Sequence, residues 1–597
     1  MEKLDVLERI RHSCAHVLAQ AVLKFYPNAR LGIGPAIENG FYYDFGKISL
    51  TEQDLFRIEK EMRDIVSKNL PFKKELWTQS RAKAYFQKQK QPFKLELIKD
   101  LAKGKALRQA QGKIGMVFTG NAFLDLCRGG HVKNTSELPL DAFKLTKVAG
   151  AYWKGDEKRE QLVRIYGVAF RTKEDLTKHL AMLEEAKKRD HRKLGQELDL
   201  FTFSELVGPG LPLWTPKGTV IREELEKFAK ETEEKWGYKR IATPHIGKEE
   251  LFKTSGHLPY YKDDMFPEMD IQDSEGVKTN RYYLKAMNCP ITMAMLGQKP
   301  HSYREFPVRL AEYGTVYRYE RAGVLSGLLR LRGFTQNDAH IFCREDQLEE
   351  EFVQVMKLHE YYYRDVFGLK DYYVRLSLRD KTKKDKFGGN DSVWKKAESI
   401  IRSAIKKSGV PFQEAVGEAS FYGPKADFQI KSAVGREETA STNQIDFIMP
   451  ARFGLKYTGP DGKEHPVAVI HRAPLGSHER FIGFLIEHYA GAFPVWLAPV
   501  QVVIIPVSEK FNTYGDSVRE KLEGENIRVE TSDANETLGK RIREGEMQKI
   551  PCLLVVGEKE QQNKTVSLRR RGNKEVKEMG IEMFLSGIAE EIKLRLS

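Results

Sequence analysis

The sequence predicts a multidomain protein of mixed α/β and α+β type. Its 597 residues suit roughly three to four domains of ordinary size. The last hundred or so residues alternate apolar runs (Gln501-Val502-Val503-Ile504-Ile505-Pro506 and Cys552-Leu553-Leu554-Val555-Val556) with helical patterns. That alternation reads as a small α/β domain with a largely parallel sheet. Further upstream, Gln336, Asp338 and His340 alternate with other residues, so on a strand they would share one face.

The composition, 41% hydrophobic and 30% charged, fits a soluble globular enzyme. No apolar run reaches the length of a membrane span. The start, Met1-Glu2-Lys3-Leu4-Asp5, has no signal-peptide core. Five widely spaced cysteines form no disulfide framework and fit a reducing cytoplasm. Of the +14 net charge, most sits in residues 1–190, with 36 Lys+Arg against 24 Asp+Glu, whereas 501–597 carry 17 of each. A polyanion such as RNA is the natural partner for that surplus, and a solvated basic surface is the bland alternative.

Residues 1 to about 190 read as one α/β unit. Leu7 to Val22 has a helical pattern that places His12 and His16 on one face. Cys127 and His131 repeat the spacing of four. The two pairs could converge into a cluster of one Cys and three His, adequate for zinc or for a water-activating pocket. Between them, residues 81–113 hold ten Lys+Arg and two acids, Glu96 and Asp100, with Phe86 and Phe93 interleaved. This run is the candidate contact for a phosphate backbone, against the alternative of a solvated helical face. Residues 172–198, charged and helical in pattern, predict a linker helix.

In the middle third, Val220 to Trp236 is an amphipathic helix, followed by a strand from Gly237 to Pro244. Arg330-Leu331-Arg332-Gly333-Phe334 supplies two guanidinium forks suited to phosphate and a ring suited to stacking on a base. No G-x-x-x-x-G-K-[ST] loop occurs, so no P-loop holds a nucleotide.

Several motifs, in order, resemble those of bacterial threonyl-tRNA synthetases, a class II aminoacyl-tRNA synthetase family. They are His12-x-x-x-His16 with Cys127-x-x-x-His131, Leu284 to Pro290, Tyr317-Arg318-Tyr319-Glu320, Arg330 to Cys343, Phe421 to Asp427, and Ile470 to Arg480. The resemblance runs from near residue 1 to the end. It implies an editing domain at 1–171, a linker helix at 172–198, a class II catalytic domain built on an antiparallel sheet at 199–496, and an anticodon-binding domain at 497–597. The extra N-terminal β-grasp domain of many members has no room here. The helix–strand–Pro pattern before Pro244 implies a homodimer.

The resemblance also assigns roles. Arg318, Arg330, Arg480 and Lys425 would be catalytic. ATP, with Mg2+ on its phosphates, would meet Arg318, Glu320, Arg330, Phe334, Gln444 and Arg480. L-Threonine would meet Gln336, Asp338, Tyr422 and Ala473. Cys289, His340 and His471 would hold one Zn2+ with an open position for substrate. His12, His16, Cys127 and His131 would edit mischarged tRNA(Thr). Asn535, Glu536, Glu560 and Arg569, with the arginines beside it, would read the anticodon. The implied activity is ATP-dependent threonylation of tRNA(Thr). The alternatives are an RNA-binding paralogue that does not aminoacylate, and a class II synthetase for another small amino acid.

The chain departs from the family pattern in four places. Gly130 stands for Pro, Ile291-Thr292 for Gly-His, Glu438-Thr439-Ala440-Ser441-Thr442 for Trp-Gln-Cys-Gly-Thr, and Tyr317 and Tyr319 flank Arg318. The last three sets are expected to line one pocket.

Overall fold

A computed structural model describes residues 5–103, 113–272, 274–276, 278–383, 387–431 and 437–595. The chain divides into two compact units, Met1–Glu184 and Glu185–Ser597.

In the first unit, α1 (Val6–Phe25) buries Cys14, Val17, Leu18, Ala21 and Val22 on one side. It packs on a five-stranded sheet that includes β1 (Gly40–Gly46), β5 (Phe143–Tyr152) and β6 (Gln161–Ala169). A second, three-stranded antiparallel sheet consists of β2 (Phe72–Thr78), β3 (Lys113–Thr119) and β4 (Phe123–Leu126). The basic run forms α2 (Gln79–Lys88) and α3 (Pro92–Lys103), and residues 104–112 of it lie outside the described residues. Phe86 and Phe93 are core side chains, 1% and 5% exposed. Lys94 is no part of a solvated face: at 2% exposure it lies 2.5 Å from the buried Asp125.

The division between the units falls within α4 (Lys173–Arg189). Where the sequence predicts one linker helix, α4 is followed by a second helix, α5 (His191–Glu197). Asp190 interrupts them and caps α5 by accepting from Arg192 N at 2.8 Å.

The second unit is built on an eight-stranded sheet. Its strands, in chain order, are β7 (Lys239–Arg240), β8 (Val308–Tyr317), β9 (Gly333–Cys343), β10 (Tyr372–Leu378), β11 (Phe412–Val416), β12 (Lys425–Lys431), β13 (Glu437–Asp446) and β14 (Ala468–Ala473). The spatial order is β7-β8-β9-β14-β13-β12-β10-β11. The inner pairings are antiparallel, and only the two edge strands join in parallel. Of the strand expected over 237–244, only Lys239 and Arg240 pair with a neighbour.

Helix α6 (Pro216–Lys235) starts on a Thr215 cap with Pro in its first turn and buries Ile221, Leu225, Phe228 and Ala229, a helical spacing. Its Glu233 is fully buried and accepts from Arg472 of β14 and Asn337 of β9, each at 2.7 Å. Those bonds tie the helix to two strands of the sheet. Helices α7 (Cys289–Leu296), α8 (Ile448–Arg452) and α9 (His478–Tyr489) carry or support the site residues.

The C-terminal sheet runs, in chain order, β15 (Val502–Pro506), β16 (Val529–Thr531), β17 (Cys552–Val556), β18 (Thr565–Arg570) and β19 (Val576–Gly580). It is mixed rather than largely parallel. β15 pairs in parallel with β16 and β17, whereas β18 and β19 add antiparallel. The antiparallel half escapes the sequence reading because Thr565–Arg570 and Val576–Gly580 alternate apolar with charged residues and form no continuous apolar run.

Candidate active site

Four strands place four of the proposed site residues on one rung of the large sheet. His340 of β9 is the cross-strand partner of His471 on β14, His471 of Gln444 on β13, and Gln444 of Lys425 on β12. Cross-strand partners share a face, so these side chains project together. Gln336 and Asp338 precede His340 by four and two residues and join the same face. Cys289 arrives from the first residue of α7.

The result is a cleft of about 350 Å³, lined by Cys289, Gln336, Asp338, His340, Tyr422, Gln444, His471 and Ala473, and also by Arg318, Glu320, Arg330, Phe334, Lys425 and Arg480. The two sets differ in chemistry.

Within it, the ligand atoms of Cys289, His340 and His471 lie within 4.8 Å of one another. All three residues are buried. Burial pushes His340 well below the ordinary imidazole range, leaving a neutral ring with a lone pair to give. Burial, and then the carboxylates of Asp338 and Asp446, push the Cys289 thiol up. A divalent cation would reverse that bias, because a coordinated thiol deprotonates. One sulfur and two nitrogens in a buried corner suit zinc and leave it an open position. Asp338 accepts from Asn288 Nδ2 at 3.0 Å, and burial raises its carboxyl. Tyr422 donates its hydroxyl to Gln444.

The arginines form a second group, in which Arg318 and Arg330 lie close enough to Arg480 to act on its charge. Ser477 caps α9 by accepting from Arg480 N at 3.2 Å, which puts Arg480 in the helix's first turn. A cation there opposes the helix dipole, a cost that a bound anion would offset. Gly476 makes the approach possible: at φ +56°, an added Cβ would meet Ala440 O at 2.2 Å. Arg480 donates to Leu329 O at 2.9 Å and Thr439 O at 3.2 Å. Burial, and then Arg318 and Arg330, depress its pKa, yet a guanidinium remains charged. The Arg318 guanidinium lies 5.0 Å from the Phe334 ring centroid. Arg330 and Glu320 pair with each other at 2.9 Å, and Lys425 lies 3.2 Å from the buried Asp427.

Of the departures from the family pattern, only Thr439, Ala440, Ser441 and Thr442 line the cleft; Ile291, Thr292, Tyr317, Tyr319 and Glu438 do not, contrary to the sequence expectation. Strand alternation turns Tyr317 away from the face that leads to Arg318. Thr292 is buried and its hydroxyl donates to Asn288 O at 3.3 Å. Ser441 and Thr442 are held by their own partners, Tyr363 at 2.7 Å and Asp427 at 2.8 Å.

In the first unit, α1 and the loop after β4 bring His12, His16, Cys127 and His131 into one cluster, again within 4.8 Å. Cys127 Sγ is 3.3 Å from His131 Nε2 and 3.5 Å from His12 Nε2. Ser13 links His131 Nδ1, at 3.3 Å, to Val132 N, at 3.1 Å. Burial lowers all three imidazole pKa values, so the rings are neutral. Gly130 sits at φ +92°, a conformation closed to proline, whose φ is locked near −65°. Beside the cluster, buried Asp125 holds Tyr43 and Lys94 at 2.5 Å each.

In the C-terminal part, Asn535 and Glu536 are exposed ahead of helix Leu538–Met547. Glu560 accepts from Gly557 N at 2.9 Å and Ser567 at 2.7 Å, and Arg569 lies on β18. Its neighbours are spoken for: Arg570 pairs with Glu591, and Arg571 donates to the carbonyls of Lys549, Ala492 and Phe493. Both guanidinium groups therefore brace the domain internally.

Asp446, Asn288 and Asp125 had no role in the sequence reading. Only Asp446 carried a readable signal, two residues beyond Gln444 on the same strand face.

This constellation on an antiparallel sheet defines a class II aminoacyl-tRNA synthetase. Residues 273–489 match the class II tRNA synthetase core domain (G, H, P, S and T), 501–591 an anticodon binding domain, and 114–166 the second additional domain of threonyl and alanyl tRNA synthetases. The chain is 47% identical to the threonine–tRNA ligase of Halalkalibacterium halodurans, over 99% of its own length and 90% of that protein. It is 48% identical to that of Gloeobacter violaceus, over 99% and 93%. The crystal structure of the RNA binding domain of threonyl-tRNA synthetase from Cryptosporidium parvum Iowa II aligns with a TM-score of 0.63 at 34% identity, covering 67% of this chain and 98% of that one. The chain belongs to the threonine–tRNA ligase family.

Proposed function

We propose that the chain joins L-threonine to tRNA(Thr) through a threonyl-adenylate and hydrolyses seryl-tRNA(Thr) in its first unit. The observation that carries the reading is the pairing, in one cleft, of a Cys-His-His corner with an arginine cluster. Zn2+ held by Cys289, His340 and His471 would supply a Lewis-acid contact for the amine and side-chain hydroxyl of threonine. Gln336 and Asp338 accept and orient polar hydrogens of the amino acid, and Tyr422 and Ala473 shape its pocket. Phe334 and Glu320 position the adenine, Gln444 meets the nucleotide, and Mg2+ accompanies the phosphates.

Activation brings the threonine carboxylate oxygen against the α-phosphorus. The new P–O bond forms as the bond to pyrophosphate breaks. Negative charge grows on the phosphoryl oxygens, where Arg318, Arg480, Arg330 and Lys425 stand, and groups fixed in advance stabilise it. A tRNA terminal hydroxyl then attacks the adenylate carbonyl, and AMP leaves. A homodimer, formed through the α6 region, completes the proposed assembly, and the C-terminal domain takes the anticodon through Asn535, Glu536, Glu560 and Arg569.

Editing follows from the limits of the first site. Valine lacks the hydroxyl and is rejected strongly, whereas serine lacks only a methyl, worth about 1–3 kcal/mol. The cluster of His12, His16, Cys127 and His131 supplies neutral imidazoles to accept hydrogen bonds from a water and position it. Threonine-dependent exchange of pyrophosphate into ATP tests activation: robust exchange with threonine is expected, and its absence in folded, metal-replete protein rejects the reading in favour of a non-aminoacylating paralogue.

A further inference from the structure

We propose that Asp446 is a positioning residue for the metal centre: its buried carboxylate holds His471 in the tautomer that presents Nδ1 to the ion. The inference rests on the zinc reading above.

His471 Nε2 lies 3.0 Å from Asp446 Oδ2. The other carboxylate oxygen, Oδ1, accepts from Ile448 N at 2.7 Å and Met449 N at 2.9 Å, both in the first turn of α8. Two backbone donors and an imidazole nitrogen therefore converge on a side chain with no solvent exposure, an environment that suits a carboxylate acting as acceptor. The hydrogen between Asp446 and His471 belongs to Nε2, which leaves the ring's one lone pair on Nδ1.

Strand geometry makes the arrangement stiff. Gln444 is the cross-strand partner of His471, and Asp446, two residues further along β13, is the diagonal neighbour on the same face. The Tyr422 ring packs at 5.2 Å from the imidazole and the His340 ring at 4.8 Å. A hydrogen-bonded partner on the far nitrogen is what orients a ligating histidine and raises its basicity. Without Asp446, the Nε2–H would be left in a dry site without its partner, and the ring would be free to present either nitrogen.

The test compares wild-type protein with Asp446→Asn and Asp446→Ala, each checked for folding by circular dichroism. Zinc affinity is measured by competition with a chromophoric chelator, and the visible bands of the cobalt(II)-substituted proteins are recorded. About 10–100-fold weaker zinc binding with altered cobalt bands is expected. Wild-type affinity and bands in folded Asp446→Asn would overturn the proposal. If neither variant folds, imidazole ¹⁵N spectra of the zinc-loaded wild type, assigned by the loss of signals in His471→Gln, decide it. Metal on Nδ1 with hydrogen on Nε2 supports the assignment, and the reverse overturns it. Wild-type protein that takes up no stoichiometric zinc would instead reject the underlying zinc reading.

Discussion

His340 and His471 face each other as cross-strand partners on β9 and β14, their rings 4.8 Å apart and nearly perpendicular at 82°. Cys289 reaches the same point from the start of α7. Removing the sulfur takes away one of three ligands and the only anionic one. Cys289→Ala is expected to lose bound zinc, measured by elemental analysis, together with threonine-dependent pyrophosphate exchange. Full exchange in metal-free Cys289→Ala would refute the assignment.

The arginines should not weigh equally. Arg480 is half-buried and Arg318 lies over Phe334, and both line the cleft. Each change to alanine is expected to lower kcat by about 10²-fold or more, the scale of losing a transition-state charge contact. Arg330 is half exposed and already paired with Glu320, so Arg330→Ala should cost distinctly less. Steady-state kinetics on the three variants checks the ranking, and equal losses would contradict it.

Glu479 gives a pH signature. Burial raises its carboxyl to about 7, against the opposing pull of Thr335 N, which donates to it at 2.9 Å. The folded state thus favours the protonated form. Its contribution to stability is fully present below the ordinary carboxylate range and is lost as pH rises through about 7. Thermal melts of the wild type should show a Tm that falls between about pH 5 and pH 8, and Glu479→Gln should remove part of that slope. An unchanged slope in the variant would assign it to other groups.

The first unit should be separable in function from the cleft. With His12 and His16 both changed to alanine and serine supplied, seryl-tRNA(Thr) is expected to accumulate while threonylation persists. Equal accumulation by intact and variant proteins would exclude editing by this cluster.

Light scattering should return the mass of a homodimer at working concentrations. A concentration-independent monomer would contradict it.

The shared face on the large sheet was legible because strand alternation is a local rule. Gln336, Asp338 and His340 declare a shared face within five residues, and the structure sets them in one cleft. The rung from His340 through His471 and Gln444 to Lys425 was not legible from spacing. β9 and β14, which carry His340 and His471, neighbour in space and not in sequence, so only the family resemblance joined them. Burial was the hardest property to read. Lys94 looked like one more cation in a basic run until Asp125 and Tyr43 claimed it, and Arg570 and Arg571 looked like phosphate contacts until Glu591 and backbone carbonyls did. A charged residue's partner, often far away in sequence, decides whether it faces solvent.

The interior placement of Phe86 and Phe93 has a consequence for how α2 and α3 could meet a transfer RNA. A nucleic acid laid along these helices finds the ammonium groups of Lys88, Lys90 and Lys99 and neither of those rings to stack upon. Attachment there would be driven by the release of condensed counterions. It would weaken steeply with ionic strength and be blind to base identity. Telling one transfer RNA from another would then fall to other surfaces of the chain.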